Sequence, residues 1–436
     1  MIWAKEETLP RAEIEKIQLE KLRQTAAYIY ERVEPYQQKM DRAGVKPGDI
    51  RTLDDLKKLP FTYKSEFKDN YPFGLFAVDQ KDLVRYHASS GTTGKPTVVG
   101  YTRHDLDVWL NNVARIACMG GATAEDVAQI SFGYGTFTGA LGLHGGLEKI
   151  GASVIPMSSG NTNKQIMFLQ DLGVTLLVAT PSYALHLGEQ IRERGLDPKK
   201  DLKLHIGLFG GEGMTEPMRE EMHKVWGDQF VCTQNYGMNE LCGPGVSGEC
   251  TELCGMHINE DWFIPEIIDP KTEEVLPPGE HGELVVTCLG KEALPLIRYR
   301  TGDLTRLMYE PCKCGRTTCR MENLSGRADD MLVIRGVNVF PTQIEEVLFK
   351  IAEIGPHYEI LVERKNRLDV MTITVELIDD RLLDSYALLG ELEKRIRSAL
   401  KAQLGLATQI RLVAPNSLQR FEGKAKRVTD LRKDGL

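Results

Sequence analysis

A short stretch from Tyr86 to Pro96 has the composition of a phosphate-binding loop. It supplies four hydroxyls and a glycine, followed at once by a further glycine and a lysine: Ser89, Ser90, Gly91, Thr92, Thr93, Gly94 and Lys95. Small residues let backbone N–H groups approach a ligand closely, and the lysine adds positive charge, so the stretch suits a polyanion such as a nucleoside triphosphate. It is not a P-loop, because Pro96 stands where that motif requires serine or threonine. A mobile linker is the alternative interpretation.

Three further segments combine glycines with aromatic or acidic residues. They are Phe132-Gly133-Tyr134-Gly135, Gly210-Gly211-Glu212-Gly213 and Tyr236-Gly237-Met238-Asn239-Glu240. Aromatic rings beside glycines can form a flat slot for an apolar ligand, and a carboxylate such as Glu240 suits Mg²⁺ held together with phosphate oxygens. Each residue also has an ordinary interpretation, because Glu240 could form an ion pair and Tyr236 could belong to the core.

Two cysteine-rich segments, Cys250 to His257 and Cys312 to Cys319, have the composition of a zinc site. They provide five thiols and one imidazole, which is more than a tetrahedral Zn²⁺ needs, and Gly315 lets the Cys-x-Cys pair fold around a metal. The chain has nine cysteines, an odd number, so reduced thiols or metal ligands are expected in place of a disulfide framework. Unmetallated reduced thiols are the alternative, and a redox pair between spare thiols stays open.

The central part of the chain alternates between strand-like and helix-like segments, which predicts an α/β fold with ligand sites at the carboxyl ends of the strands. The predicted strands are Val127–Phe132, Ala152–Met157, Val174–Ala179, Lys203–Phe209 and Gln229–Gln234. The predicted helices are Asn163–Leu172, Tyr183–Arg194 and Glu216–Trp226, the last with Thr215 as its N-cap. The three glycine-containing segments fall at the ends of such strands, so the sheet is expected to bring them together.

The regions on either side of this core differ from it. Residues 1–80 are predicted to be mostly helical, with one apolar stripe formed by Leu19, Leu22, Ala26, Ile29 and Val33. After Gly243, shorter strands and turns predict a β-rich subdomain over about 244–326, with strands at Trp262–Ile268, Gly282–Leu289 and Leu294–Tyr299.

The last part of the chain is predicted to form a small α+β domain. Its expected order is a helix from about Thr342, strands near His357–Glu363 and Val370–Leu377, a helix through Leu388–Leu404 and a strand at Gln409–Val413. The tail from Pro415 to Leu436 is basic and contains glycine, and by composition it is predicted to be disordered. A lysine in such a tail, Lys424 included, is ordinarily a solvated charge.

Composition limits the classes of protein that fit. The chain has 436 residues, which predicts more than one domain, and a net charge of −8, which argues against a nucleic-acid or anionic-membrane surface. No run reaches the ~18 apolar residues of a membrane span. The N-terminus turns acidic at Glu6 and Glu7, too early for a secretion signal, so a cytoplasmic location is expected.

Several ordered motifs together resemble one family. They are Ser89–Pro96, Phe132–Gly139, Gly211-Glu212, Tyr236–Glu240, Arg298–Leu304, Gly326–Asp330, Arg335–Gln343 and Gly423-Lys424-Ala425. The set is similar to the phenylacetate–CoA ligases, within the adenylate-forming superfamily of acyl-CoA synthetases and luciferase-like enzymes. The resemblance covers essentially the whole chain, and the phrase from Arg335 to Gln343 is the most specific to this family.

The resemblance implies an ATP-dependent ligase that works in two half-reactions. A carboxylate attacks the α-phosphate of ATP to give an acyl-adenylate and pyrophosphate, and the thiol of coenzyme A then displaces AMP. It implies a large adenylating domain over 1–327 and a small mobile domain over 328–436. The small-molecule partners would be an aryl acid, ATP and CoA, with no nucleic acid and no membrane, and a homodimer is a further expectation.

The resemblance also assigns roles to individual residues of the ATP site. The Ser89–Lys95 stretch would bind the β- and γ-phosphates, and Glu240 would bind Mg²⁺. Asp303 would accept hydrogen bonds from the ribose, and Arg327 would contact the ribose or the phosphates. Tyr236 would lie beside the adenine. The other ATP-binding residues implied are Gly211, Glu212, Gly237 and Met238.

For the remaining roles the resemblance names a pocket, a catalytic lysine and a metal site. The acid pocket would include Phe132, Tyr134, Phe137 and Gly211. Lys424 would stabilise the charge that develops during adenylation, and the small domain would turn about Asp329. Arg335, Gly336 and Asn338 would then face the CoA thiol. The implied Zn²⁺ ligands, in a structural site, are Cys250, His257, Cys312 and Cys314, with Cys254 and Cys319 as alternatives.

One position departs from the family pattern. The chain reads Thr301-Gly302-Asp303, whereas this family often has arginine at the middle position. Asp303 keeps its expected role, but the identity of the acid is less strongly indicated. Two rival functions remain at this point: an acid-adenylating enzyme that uses a carrier protein or another acceptor, and a zinc-dependent nucleic-acid-binding protein.

Overall fold

The computed structural model describes residues 1–89, 95–328, 332–335, 337–365, 368–420 and 427–432, with the backbone alone at Asn338 and Asp384. The α-helices are Arg11–Arg32, Glu34–Arg42, Lys64–Asp69, Arg103–Met119, Gly139–Ile150, Thr162–Asp171, Pro181–Glu193, Pro198–Asp201, Glu216–Trp226, Pro341–Leu348 and Tyr386–Leu404. Short 3₁₀ helices are Lys5–Thr8, Pro47–Asp49, Leu53–Lys58, Gln80–Asp82 and Asp380–Asp384. Among the described residues, no helix has both the length and the apolar character that a membrane crossing requires.

The largest sheet runs through the centre of the chain and is mixed. In spatial order its described strands are Leu307–Met308, Arg320–Met321, Met256–Ile258, Gly243–Glu249, Val231–Met238, Ile206–Phe209, Leu176–Ala179, Val127–Ile130 and Ser153–Ile155. The last five of these pair in parallel, and the first four pair antiparallel. The predicted α/β fold is confirmed, and the carboxyl ends of the parallel strands meet along one edge.

Threonine hydroxyls cap two of the helices that follow these strands. The Thr180 hydroxyl accepts a hydrogen bond from the Tyr183 N–H, and Pro181 occupies the first helical position, where a missing N–H costs nothing. Thr215 caps the helix Glu216–Trp226 in the same way, which confirms the predicted N-cap. The two caps define where these helices begin, at the edge of the sheet where the predicted site residues lie.

A second, antiparallel sheet carries another part of the site. Its strands, in spatial order, are Phe263–Ile268, Gly282–Cys288, Tyr299–Thr305 and Gly326–Arg327. The predicted strand at Leu294–Tyr299 is wrong, because Arg298 adopts a φ of +45°, which extended backbone does not allow, and the strand begins at Tyr299. A separate hairpin pairs Arg85–Ala88 with Val98–Tyr101.

The C-terminal domain has its own sheet and its own core. The spatial order of its strands is Gln409–Val413, Leu368–Leu377, Ile354–Lys365 and Val428–Asp430, and a hairpin joins Leu332–Ile334 to Val337–Val339. The tail predicted to be disordered therefore contributes a strand, since Val428–Asp430 pairs in parallel with Ile354–Lys365. The apolar core here is formed from Leu332 onwards, whereas the other large cores lie within residues 22–321.

Candidate active site

The strand ends of the central sheet bring together several of the predicted site residues. Gly211 adopts a φ of +78°, and a Cβ at this position would lie 3.7 Å from the Phe132 ring and 3.8 Å from the Thr180 methyl. Glu212 accepts a hydrogen bond of 2.6 Å from the Ser182 hydroxyl. The loops after three neighbouring strands therefore contact one another, as expected for a ligand site at such an edge.

Tyr236, Asp303 and Arg327 form a hydrogen-bonded cluster between the two sheets. The Tyr236 hydroxyl donates to Asp303 Oδ2 over 2.6 Å, and Arg327 Nη1 donates to Asp303 Oδ1 over 2.8 Å. Burial, followed by the charge of Asp303, raises the pKa of Tyr236 well above its ordinary value, so this hydroxyl stays protonated. The cluster unites three predicted ATP-binding residues that lie far apart in the sequence.

Gly302 stands beside this cluster in a conformation that favours glycine. Its φ is +75°, and its carbonyl accepts a 2.7 Å hydrogen bond from the Ala328 N–H. An arginine at this position would carry the backbone strain of the left-handed region. The departure from the family pattern thus coincides with a backbone conformation suited to the residue that is present.

Glu240 lies at the end of the strand Val231–Met238, and its side chain is buried. Within the described residues its carboxylate has no lysine or arginine ion-pair partner. A buried carboxylate without a cation is costly, and it is the ligand type that Mg²⁺ prefers. The site therefore fits a divalent cation, which would neutralise charge on bound phosphates. The predicted strand ended at Gln234, whereas Tyr236, Gly237 and Met238 are the last residues of the observed strand.

Lys291 supports the Glu240 turn and was not identified from the sequence. Its ammonium donates to the backbone carbonyls of Glu240 and Leu241 over 2.9 and 2.7 Å and lies 5.2 Å from the centre of the Tyr101 ring. The contact spans residues far apart in the chain, so no local pattern could have indicated it. Ser182 could have been found, because it follows a buried strand, as the predicted loops do.

The predicted acid pocket has three aromatic residues in different environments. Phe132 is buried, Tyr134 is half-buried, and Phe137 is 49% exposed. The Tyr134 hydroxyl is paired with His144 Nδ1 over 2.9 Å, and His144 Nε2 lies 3.0 Å from Glu148. Phe132 lies beside Gly211, so among the three aromatic residues its position best fits the predicted acid pocket.

The ends of the phosphate-loop stretch are held by a hairpin. Ser89 N–H donates to the Thr97 carbonyl over 3.0 Å, and Thr97 N–H donates to Ser89 Oγ over 3.2 Å. The Lys95 ammonium lies 4.8 Å from the centre of the Tyr71 ring. The remaining predicted residues of the stretch lie outside the described residues: Ser90, Gly91, Thr92, Thr93 and Gly94.

The predicted zinc ligands converge on one point. The ligand atoms of Cys250, His257, Cys312 and Cys314 all lie within 4.8 Å of one another, and three of these four residues are buried. His257 Nδ1 lies 3.0 Å from the Thr318 hydroxyl, so the other ring nitrogen, Nε2, faces Cys314 at 3.4 Å. Three thiols and one oriented imidazole fit a tetrahedral Zn²⁺.

The two alternative ligands behave differently. Cys254 Sγ lies 3.4 Å from Cys312 Sγ, at the border of the cluster. Cys319 is buried, and its backbone N–H donates to Glu260 over 2.6 Å. The four-residue set implied by the resemblance is therefore the one that the fold assembles.

Several predicted residues belong to the C-terminal domain. Arg335 has a φ of +51° and donates to the Asp369 carbonyl over 2.8 Å. Lys424, Asp329 and Gly336 lie outside the described residues, as does the side chain of Asn338.

Comparison with known proteins identifies the family. Residues 10–288 match the family model described as AMP-binding enzyme, and residues 336–432 match the AMP-binding enzyme C-terminal domain. The chain is 47% identical to a phenylacetate-coenzyme A ligase of Thermus thermophilus, with 98% of each chain covered. It is 45% identical to one of Escherichia coli, over 98% of this chain and 97% of that protein.

Solved structures of a 2-hydroxyisobutyryl-CoA ligase are similar to this chain over nearly its whole length. Its postadenylation state with 2-HIB-AMP superposes with a TM-score of 0.92 at 28% identity, covering 99% of this chain and 92% of that one. Its thioesterification state, with 2-HIB-AMP and CoA, superposes with a TM-score of 0.72, covering 98% of this chain and 93% of that one. The domain arrangement of this chain therefore follows the postadenylation state more closely. The chain belongs to the AMP-binding enzyme family and, within it, to the phenylacetate–CoA ligases.

Proposed function

We propose that this chain joins phenylacetate to coenzyme A at the expense of ATP, through a phenylacetyl-adenylate. The carboxylate attacks the α-phosphorus and pyrophosphate leaves, and the CoA sulfur then attacks the acyl carbon and AMP leaves. The Tyr236–Asp303–Arg327 cluster carries this proposal, because it unites residues from two sheets and the domain crossing at the point where a nucleotide would lie.

In the first half-reaction the chain's task is to position the substrates and neutralise charge. Ser89 to Lys95 would bind the β- and γ-phosphates, and Asp303 would accept from the ribose hydroxyls. Arg327 is held against Asp303, so its position is set before the nucleotide binds. Glu240 would hold Mg²⁺, which would supply positive charge to balance that of the phosphates.

The two half-reactions would use different placements of the C-terminal domain. Lys424 would stabilise the charge of the adenylation transition state and then withdraw as the domain turns about Asp329. Arg335, Gly336 and Asn338 would then lie near the CoA thiol. The proposal places the domain boundary after Arg327. Support comes from the two states of the 2-hydroxyisobutyryl-CoA ligase, which superpose on this chain with different scores.

The proposal includes a structural Zn²⁺ held by Cys250, His257, Cys312 and Cys314. The metal would join two loops within the predicted β-rich subdomain and would supply no chemistry to the reaction. A cytoplasmic location and a homodimer complete the proposal, and cell fractionation and light scattering after size-exclusion chromatography test them.

Pyrophosphate exchange into ATP tests the proposed substrate and acceptor together. Exchange should depend on the acid, with phenylacetate giving the highest kcat/KM among aryl acids of different chain length and ring substitution. Subsequent addition of CoA should produce the thioester and AMP. Exchange without thioester formation would instead support the carrier-protein alternative.

A further inference from the structure

Lys291 holds the turn that carries Glu240 through the backbone of that turn, not through the carboxylate. Its ammonium donates to the carbonyls of Glu240 and Leu241 over 2.9 and 2.7 Å. In the part of the chain that the structure describes, Lys291 forms no ion pair with a carboxylate. The turn is thus held by a cation that does not neutralise Glu240, and the negative charge of this buried residue can serve a metal ion.

The loop 290–293, which carries Lys291, is itself fixed by a buried carboxylate, that of Asp105. Its Oδ1 accepts a hydrogen bond from the Glu292 N–H over 2.7 Å, and its Oδ2 accepts one from the Ala293 N–H over 2.9 Å. Asp105 is 4% exposed and lies in the first turn of a helix. Two charge-assisted hydrogen bonds from adjacent backbone N–H groups hold the loop in one conformation.

The N-terminal helix Arg11–Arg32 also holds this loop. The Thr25 hydroxyl accepts a hydrogen bond from the Gly290 N–H over 3.1 Å, and the Tyr28 hydroxyl donates to the Glu292 carbonyl over 3.1 Å. Two helices that are separate in the sequence therefore fix one short loop.

The same loop links the two sheets that carry the site. It follows the strand Gly282–Cys288 of the antiparallel sheet, and the neighbouring strand carries Asp303. Lys291 reaches from this loop to the Glu240 turn, at the end of a strand of the central sheet. The contact therefore sets the position of the Glu240 turn relative to the sheet that carries Asp303.

We propose that Lys291 is a positioning residue for the adenylation step: it holds Glu240 where its carboxylate binds the Mg²⁺ of bound ATP. This proposal rests on the proposed metal role of Glu240. Groups that orient a metal ligand typically contribute about 10- to 100-fold to metal affinity or activity. The alternative is that Lys291 only stabilises the fold. The two interpretations differ in the part of nucleotide binding that depends on the metal.

The experiment measures binding of an ATP analogue with a methylene group between the α- and β-phosphorus atoms, by calorimetry, with Mg²⁺ and with EDTA. The ratio of the two dissociation constants reports how much the metal contributes. In Lys291→Met this ratio should fall about 10-fold, while binding without metal should change less than about threefold. A purely structural role will change both constants by the same factor and leave the ratio unchanged.

The two half-reactions give a second readout. Pyrophosphate exchange should fall about 10-fold in Lys291→Met, whereas thioester formation from synthetic phenylacetyl-adenylate, which uses no ATP, should change less than about threefold. Lys291→Arg keeps a charged donor and should restore part of the exchange rate. Lys39→Met is the matched control, because Lys39 also donates to a backbone carbonyl, that of Phe61, and lies 5.4 Å from the centre of the Tyr36 ring. It should leave the ratio and both rates unchanged.

Three results overturn the proposal: an unchanged ratio in Lys291→Met, equal loss of both half-reactions, or independent losses when Lys291→Met is combined with Glu240→Gln. If Lys291→Met does not fold, as judged by its melting transition, Lys291→Gln replaces it, with the same expected results.

Glu240→Gln alone separates the two levels of inference. A full ratio in that variant would refute the proposed metal role of Glu240. A reduced ratio there, together with a full ratio in Lys291→Met, would refute the positioning role only.

Discussion

Asp303 connects residues that come from three separate parts of the chain. The residue is 2% exposed, and its carboxylate accepts hydrogen bonds from Tyr236 and Arg327. A buried carboxylate needs such partners, because an unpaired charge in the interior is strongly unfavourable. The cluster therefore depends on Asp303 for its charge balance, and on Tyr236 only for one neutral donor.

Substitution at the cluster should reveal this difference. Asp303→Asn removes the charge that pairs with Arg327, and kcat/KM for ATP should fall about 30-fold, corresponding to ~2 kcal/mol for a hydrogen bond to a charged group. Tyr236→Phe removes one hydroxyl and should lower kcat/KM for ATP about fivefold, corresponding to ~1 kcal/mol. Steady-state kinetics with varied ATP measure both values. A larger loss in Tyr236→Phe than in Asp303→Asn would contradict the assigned roles.

At the scale of elements, the metal cluster joins the chain's first residues to the β-rich subdomain. Arg316, two residues after Cys314, donates to Glu7 Oε2 over 2.6 Å, and the Thr317 N–H donates to the Glu7 carbonyl over 3.0 Å. A bound Zn²⁺ would fix the loop that makes these contacts. Removing it should loosen both the loop and the N-terminal segment.

Metal analysis and calorimetry test this function of the cluster. The purified protein should contain one zinc per chain, and a chelator that removes it should lower the melting temperature. Cys312→Ser should lose the metal, whereas Cys254→Ser, outside the four-ligand set, should keep it. Retention of zinc by Cys312→Ser with loss in Cys254→Ser would mean that Cys254 is the true ligand.

The sequence predicted elements well where the signal is local. The buried run Leu176–Ala179 and the capping residue Thr215 lie where expected, because apolar runs and N-caps act over a few residues. The strand predicted at Leu294–Tyr299 was wrong although the segment is largely apolar, because the backbone at Arg298 leaves the extended region. The prediction of a disordered tail was wrong at Val428–Asp430, because this strand forms by pairing with a distant strand and composition does not encode that contact.

The same distinction applies to the site. Glycine-rich loops and cysteine spacing are local patterns, and they identified the Gly211 loop and the two cysteine-rich segments. The choice of four ligands among the six candidates came from the family resemblance. Lys291 acts through contacts with residues remote in sequence, so its role became visible only in the folded chain. Ser182 also contacts a remote residue, Glu212, but its place after a buried strand is a local signal.

At the scale of the whole molecule, the two domains contact each other through a carboxylate and two histidines. Glu189 Oε2 lies 3.3 Å from His357 Nε2 across the domain boundary and 3.8 Å from His186 Nδ1 on its own helix. Burial acts to raise the pKa of Glu189, but the interactions with the two histidines and the charge of Arg420 outweigh it and lower the pKa from 4.5 to about 2. The contact thus favours the ionised carboxylate.

A lowered pKa fixes the sign of the acid dependence. The contribution of Glu189 to the domain contact is present above its ordinary pKa of 4.5 and is lost as the pH falls towards 2. Energy transfer between dyes on the two domains should therefore decrease over this interval. In Glu189→Gln the energy-transfer efficiency should be lower at neutral pH and should lack the part of the acid-induced decrease that depends on Glu189. Glu193 is an exposed residue on the same helix, so Glu193→Gln should behave like the unmodified chain. If the energy transfer of the unmodified chain and of both variants changes with pH in the same way, Glu189 does not contribute to the domain contact.

The acyl-adenylate is the central claim, and oxygen labelling tests it most directly. Phenylacetate carrying ¹⁸O in its carboxylate is converted to the thioester in the presence of ATP and CoA, and the AMP is examined by mass spectrometry. Attack of the carboxylate on the α-phosphorus transfers one labelled oxygen, so the AMP should carry one ¹⁸O for each thioester formed. Unlabelled AMP, or label found in inorganic phosphate together with ADP, would contradict the account.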